Sequence, residues 1–413
     1  IVEFENKLIP LLFDTRLKGV RVAQDRAETL YTELKQKQEL FQKKLNKRAS
    51  TDINVWANAS IKRAYDKESI KYTYTDKGTP SFTQAWLEVQ KDPISKCVLE
   101  IRKLDKIRNT FIKNMIMEKA TKGRIHCQFH STGTVTGRFS SSNPNLQQVP
   151  ARDQELAPLI RDLFLPEEGE DWVCADYAQQ EPRVLVHYAS LKNIDSALIA
   201  RDSYHQDENT DFHQMVADMA EIPRKQAKTI NLGLFYGMGQ KKLAQELELD
   251  EETARSLFKK YHSKVPFVKI ISNQVSNIAS TRGYIKTLLG RKRRFNLWEP
   301  VDSFGEKAFP YSQAAATYHK QKLKRAYTHK ALNALIQGSS ADITKAAMYQ
   351  IYKAGLLNDI NLLLTVHDEL DFSIAPDKHK CLDEAIQIMK SCIKLEVPLQ
   401  VDVERGLTWG TIK

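Results

Sequence analysis

Residues 361–374 read NLLLTVHDELDFSI. An apolar run meets two polar residues, His367 and Asp368, and then an alternation that puts Leu370, Phe372 and Ile374 on one face of a strand. The pattern predicts a β-hairpin with acids at its tip. Far upstream, WVCADY at 172–177 is another short apolar run, and Asp176 stands at its exit. An acid in such a place also caps turns, and for either residue alone that reading is as good as metal binding. As a pair on rigid strands, Asp176 and Asp368 have the sparse oxygen character that Mg²⁺ requires, because this ion takes one or two carboxylates and fills its shell with substrate phosphates and water.

Between the two acids, Pro223 suits the first turn of a helix. From there Arg224, Lys228, Leu232 and Tyr236 recur every four residues and form a slowly drifting stripe, with Ala227, Ile230 and Leu234 opposite. Two cations one turn apart can grip a triphosphate, and Lys228 can protonate a leaving pyrophosphate. An ordinary amphipathic helix with two solvated cations has the same pattern. Gly233 argues against that reading: glycine inside a helix costs about 1 kcal/mol relative to alanine, so its presence predicts close approach by a base or another backbone.

The 413 residues allow two or three lobes, each with its own core. The formal net charge of +11 suits a polyanionic partner. Lys and Arg cluster at 31–48 (Lys35, Lys37, Lys43, Lys44, Lys47, Arg48), at 282–294 and at 320–330, and the last two windows contain no acid. One such run is usually a solvated face; three in one chain favour contact with a phosphate backbone. Five scattered cysteines without a C-x-x-C pair point to a reducing compartment rather than a disulfide framework. No window is apolar enough to span a membrane, and the first residues lack the form of a secretory signal. The expected location is cytoplasm or an organellar matrix.

Five ordered motifs carry a resemblance: TGRFSSSNPNLQQVPAR (136–152), DYAQQEPR (176–183), RKQAKTINLGLFYG (224–237), NALIQGSSADI (333–343) and VHDEL (366–370). In order and spacing the chain resembles the family A DNA polymerases, the bacterial DNA polymerase I family, strongly from about 120 to 413 and weakly before. The resemblance implies an α+β right-hand architecture with an antiparallel-sheet palm, helical fingers and a helical thumb. Residues 1–130 would lead into the palm and contain the thumb, 131–190 form the first part of the palm, 191–335 the fingers and 336–413 the second part of the palm. It implies two Mg²⁺ ions, with Mn²⁺ able to substitute, held by Asp176, Asp368 and the backbone carbonyl of Tyr177. Glu369 would face the primer end or a water.

For the incoming dNTP the resemblance implies Tyr177, Gln179, His213, Arg224, Lys228, Leu232 and Tyr236, with Glu181 as the steric gate against a ribose 2′-OH. A simple surface ion pair of Glu181 with Arg183 is the alternative. Primer-template DNA would meet Arg138, Asn145, Gln147, Arg152, Asn333, Gln337 and His367. Three departures stand out. Leu232 replaces the usual Phe or Tyr, Gln180 and Pro182 bracket the gate, and His329 stands where the family has arginine. The segment Trp298 to Lys330 is longer than in bacterial enzymes and more like phage or organellar relatives. A monomer without membrane attachment and without 3′–5′ exonuclease is expected. A single-subunit RNA polymerase or reverse transcriptase, a two-metal nuclease and a non-catalytic nucleic-acid binder are the rival readings.

Overall fold

The computed structural model describes residues 1–412 except 152, 154, 236–239 and 303–304. Two compact units emerge, one of Ile1–Leu17, Phe129–Ser141 and Gly169–Arg405, the other of Lys18–Gln128, Ser142–Glu168 and Gly406–Lys413.

The second unit is mainly helical. Its long helix, Gln24–Ala49, buries Ala27, Leu30, Leu34 and Leu45 while all six cations between Lys35 and Arg48 stay exposed. Apolar residues three, four or seven apart form one inward stripe and leave the rest to solvent. Leu45 joins Ile61, Tyr65, Phe82, Ile94, Val98 and Ile101 in a common core. Asp92 starts the helix Pro93–Asp105 by accepting a hydrogen bond from the Ser95 N–H at 2.8 Å. The polar stretch after residue 66 contains two short paired strands, Thr73–Tyr74 and Pro80–Ser81.

In the first unit, β1 (Asp171–Tyr177) runs into α1 (Gln180–Ser190), and α2 (Phe212–Ala220) precedes α3 (Arg224–Phe235). A two-stranded hairpin follows, β2 (Tyr284–Lys286) with β3 (Lys292–Arg294). Next come β4 (Leu297–Pro300), β5 (Phe309–Pro310) and β6 (Leu323–Arg325), a small sheet in the order β5-β4-β6. The buried helix α4 (Ala331–Lys353) leads to β7 (Ile360–Val366), β8 (Glu369–Ile374) and β9 (Val401–Gly406).

The central sheet has the order β7-β8-β1-β9, with β7/β8 and β8/β1 antiparallel. Its register sets Asp176 opposite Glu369, Cys174 opposite Asp371 and Trp172 opposite Ser373. Side chains alternate across a strand, so these six share one face while Val173, Ala175, Leu370 and Phe372 fill the core on the other. The hairpin predicted at 361–374 is therefore present, with His367 and Asp368 as its two-residue turn. His367 has φ 58, the left-handed conformation that such tight turns demand.

Candidate active site

The register of β8 on β1 brings two segments far apart in sequence to one point. Asp176 ends β1, Asp368 sits in the adjacent hairpin turn, and the Tyr177 N–H donates to the Asp368 carbonyl at 3.5 Å. Asp176 Oδ1 and Glu369 Oε1 are buried without a hydrogen-bond partner. Burial first, then repulsion from Asp368, Glu369 and Asp402, pushes the Asp176 carboxyl up to about 8. Burial also raises Asp368, against the pull of Arg138. Converging carboxylates with orphaned oxygens are costly unless a cation joins them, and hard oxygen donors suit a divalent metal. The residues fit the Mg²⁺ that the resemblance implies.

A second cluster lies on the same sheet face. Cys174, Glu369 and Asp371 bring potential ligand atoms within 4.8 Å of one another. Its chemistry is structural: burial pushes the Cys174 thiol far up, which keeps it protonated, and the Trp172 indole donates to Asp371 Oδ1 at 2.7 Å.

Glu181 stands in the first turn of α1, near the acids. Its partner is Arg138, Nη2 to Oε1 2.5 Å, with the Glu181 and Arg138 side chains 13% and 24% exposed. This corrects the expected alternative of a pair with Arg183. The Arg183 guanidinium is buried and donates to the Ala178 carbonyl at 2.9 Å, the Pro398 carbonyl at 2.6 Å and the Glu208 carbonyl. Burial raises the Glu181 carboxyl despite Arg138. Gln180, fully buried, donates to Thr344 Oγ1 at 3.4 Å. Gln179 is left-handed at φ 51; its amide accepts from the Phe212 N–H at 2.8 Å and donates to the Thr210 carbonyl at 3.4 Å, which ties the end of β1 to the start of α2. The Tyr177 hydroxyl is buried and donates to the Met389 carbonyl at 2.8 Å.

Helix α3 begins at Arg224, with Pro223 just ahead of it rather than inside the first turn; its carbonyl accepts from the Ala227 N–H at 3.0 Å. Arg224, Lys228 and Leu232 are exposed along one face, and Ala227 and Ile230 are buried on the other. A close neighbour of Gly233 within the protein is a side chain: a Cβ there would lie 2.6 Å from a methyl of Leu243. Tyr236 and Arg152 lie outside the described residues.

Asn231, on the buried side of α3, was not singled out by the sequence. It takes a hydrogen bond from the Tyr261 hydroxyl at 2.5 Å and lies 3.1 Å from His213 Nδ1. With Nδ1 accepting from the amide, the neutral ring carries its proton on Nε2. Burial lowers the His213 pKa and favours that neutral form. Asp211, also missed, caps α2 by accepting from the His213 and Gln214 N–H groups and forms an ion pair with Arg224. An Asp just before Phe-His-Gln was a readable cap signal.

Asn333 and Gln337 lie half-buried in the first turns of α4, and His367 is exposed at the hairpin tip. Asn145 and Gln147 belong to the other unit, where the Asn145 side chain accepts from the Gln147 N–H at 3.1 Å. Among the described residues no helix is long and apolar enough to cross a membrane.

Comparison with known proteins decides the lineage. Residues 24–411 match the family model described as DNA polymerase family A. The chain belongs to DNA polymerase family A. This family A chain is 36% identical to the DNA-directed DNA polymerase of Pseudomonas phage M6, an alignment covering 99% of the chain and 66% of that relative. It is 30% identical to the thermostable DNA polymerase I of Thermus filiformis over 98% of the chain and 48% of that protein. The chain thus spans about two thirds of the phage relative and about half of the bacterial one. A solved structure, the POL domain of Pol1 from M. smegmatis in complex with DNA primer-template and dNTP, superposes with a TM-score of 0.80 at 27% identity, covering 98% of this chain and 70% of that one. The mixed helix-and-sheet architecture is therefore that of a family A polymerase domain.

Proposed function

We propose that this chain is a template-directed DNA polymerase that adds dNTPs to a primer 3′-OH and releases pyrophosphate. The observation that carries this reading is the meeting of Asp176, Asp368 and Glu369 at one end of the central sheet, with buried carboxylate oxygens left unpaired. Asp176, Asp368 and the Tyr177 carbonyl would hold two Mg²⁺ ions, with Mn²⁺ an acceptable substitute. Bound there, the metals would supply charge stabilisation for the attacking and leaving oxygens.

The protein's own groups do the rest. Arg224 and Lys228 bind the triphosphate from one face of α3, and Lys228 gives a proton to the departing pyrophosphate. His213, neutral and protonated on Nε2, donates to a phosphate oxygen without adding charge. Leu232 and Tyr236 support sugar and base, and Glu181, held by Arg138, fills the space of a 2′-OH. Tyr177 and Gln179 fix the turn from β1 to α1 beneath the nucleotide, and Glu369 faces the primer end.

Arg138, Asn145, Gln147, Arg152, Asn333, Gln337 and His367 contact primer-template DNA, where minor-groove acceptors shared by all pairs report shape rather than sequence. In this reading the four-stranded sheet is the palm, residues 191–335 are fingers and the basic helix Gln24–Ala49 belongs to the thumb. The chain works as a monomer.

Primer extension in Mg²⁺ tests the proposal, using DNA and RNA templates and both dNTPs and NTPs. Extension with dNTPs that disappears in Asp176→Asn and Asp368→Asn is expected. An unchanged primer would leave only a binder, a shortened one a nuclease, and NTP preference an RNA polymerase.

A further inference from the structure

Four ionisable side chains from three separate stretches of sequence meet in the interior, and no step of the proposed reaction uses them. Glu5 comes from the first helix, Val2–Lys7, Arg291 from the turn between β2 and β3, and Asp342 and Lys345 from α4. Glu5, Asp342 and Lys345 are buried, and only 14% of the Arg291 side chain is exposed. Arg291 pairs with Glu5 and, at 3.4 Å, with Asp342. Asp342 Oδ2 also accepts from the Thr287 hydroxyl at 2.5 Å and the Leu289 N–H at 2.9 Å, so the turn that carries Arg291 is itself pinned to α4. The Lys345 ammonium reaches both Glu5 oxygens, at 2.8 and 3.1 Å. Desolvation offsets much of the attraction in such a cluster. What it fixes in space therefore matters more than what it adds in stability.

The cluster closes on one short strap, residues 131–139. Lys345 donates to the Ser131 carbonyl at 2.5 Å, and its ammonium lies 5.0 Å from the centre of the Phe139 ring. The Arg291 guanidinium lies against Gly137, at φ 87, where any side chain would run into it. At Gly338 on α4 a Cβ would lie 3.1 Å from the Thr136 carbonyl and 2.6 Å from the Thr287 methyl, so the strap also seats directly on that helix. Inside the strap the Thr134 hydroxyl donates to the Arg138 carbonyl at 2.9 Å, and the Gly137 N–H donates to the Thr134 carbonyl at 3.2 Å. The chain is thus gripped on both sides of Arg138. The Arg138 guanidinium is left to reach Glu181 in α1.

We propose that Glu5, Arg291 and Lys345 are positioning residues that act through Arg138. They fix the backbone of residues 131–139, and the fixed backbone delivers the Arg138 guanidinium to Glu181 and to the primer-template. The inference rests on the polymerase reading for its last step, since Arg138 bears on nucleotide addition only where it meets DNA and holds the gate.

Arg291→Lys tests this, because it keeps the charge beside Glu5 and Asp342 but removes the flat guanidinium that lies on Gly137. Hydrogen–deuterium exchange in the peptide 131–141 should rise severalfold, while exchange in β1 and β8 stays as in wild type. Single-nucleotide incorporation should lose roughly ten- to a hundredfold in kcat/KM, the scale on which small misplacements act. In an Arg138→Ala background the same substitution should cost less than about twofold, because the group it positions is gone.

A purely structural weakening would lower kcat/KM by the same factor in both backgrounds, and that result would overturn the proposal. So would unchanged exchange in 131–141. If Arg291→Lys does not fold, or Arg138→Ala is too slow to measure, the double variant Glu5→Gln/Lys345→Met decides by exchange: it leaves neither charge stranded, and the same local rise is expected. Failure of the wild type to extend a primer would sink the polymerase reading instead, while exchange still reports on the strap.

Discussion

Arg224 donates two hydrogen bonds to Asp211, from Nε at 2.9 Å and from Nη2 at 2.5 Å. The first cation of the α3 stripe is therefore held by an acid that also caps α2. Burial works to raise the Asp211 carboxyl, but hydrogen bonds from Arg224 and two backbone N–H groups outweigh it and keep the group low. A triphosphate bound to Arg224 would compete with this contact for the Nε and Nη2 donors.

Asp211→Asn should then ease nucleotide binding. Asparagine caps a helix about as well as aspartate, so α2 is preserved while the ion pair is lost. Partly exposed pairs are worth about 0.2–1 kcal/mol, and the expected result is a fall in KM for dNTP of up to about fivefold with kcat little changed. Steady-state extension kinetics give the answer. A raised KM would mean that Asp211 orients Arg224 for phosphate rather than competing for it.

Glu181 supports a sharper division. Under the proposed gate role, Glu181→Gln keeps the volume that would block a 2′-OH but removes the charge that holds Arg138, whereas Glu181→Ala removes both. Ribonucleotide exclusion should survive the first change and fail in the second. Both variants should weaken primer-template binding, since each removes the carboxylate that holds the Arg138 guanidinium in place. Competition between dNTP and rNTP, measured beside DNA affinity, separates the two effects; unchanged exclusion in Glu181→Ala would remove the gate.

Leu232 is exposed on the Arg224–Lys228 face of α3, where an aromatic ring would cover more of a sugar. Leu232→Tyr should change the preference between deoxy- and dideoxynucleotides by roughly tenfold or more, the scale of an altered pocket contact. Single-nucleotide incorporation with each sugar reads this directly. Identical ratios in Leu232→Phe, Leu232→Tyr and wild type would deny position 232 a role at the sugar.

The strands and the exposed face of α3 were legible because each obeys a local period. The alternation of Leu370, Phe372 and Ile374 fixed the strand face, and the four-residue spacing of Arg224, Lys228 and Leu232 fixed the helix face. What the sequence hid is partner choice. Arg138 lies 43 residues from Glu181, closer neighbours such as Arg183 had the right charge, and only tertiary packing selects among them. Asn231 looked like a polar helix residue and is fully buried, because Tyr261 and His213 satisfy it. Residues 1–17 read as part of a leading helical region, yet they pack with the later chain, Phe4 edge-on to Tyr349 and the buried acid Glu5 paired with Lys345.

The carboxylate cluster predicts a pH dependence in metal-free protein. Asp176 titrates near 8 in the folded state, against an ordinary value of 3.8. Between those values the unfolded chain has released the proton while the folded chain retains it, so stability falls as pH rises from about 4 to about 8. Asp176→Asn lacks this loss, and its melting temperature in a chelator should gain on wild type steadily across that window. Divalent metal should shrink the difference by favouring the ionised carboxylates. Parallel melting curves for the two proteins at every pH would refute the assignment of a strongly raised Asp176.

Glu5 accepts from Lys345 Nζ at 2.8 and 3.1 Å and pairs with Arg291, which also reaches Asp342 at 3.4 Å. Lys345 also donates to the Ser131 carbonyl at 2.5 Å. Burial lowers the lysine to about 8 even with Glu5 beside it. Arg291 in turn packs on Gly137, at φ 87, where any Cβ would collide with the guanidinium, and Arg138 follows directly. Removing one partner of such a pair strands a buried charge, so Lys345→Met and Glu5→Gln should each cost about 3–5 kcal/mol. Together they should cost clearly less than the sum, since each removes the charge that the other leaves behind. Denaturant unfolding of the two single variants and the double variant completes the cycle, and strict additivity would show that Glu5 and Lys345 are not energetically coupled.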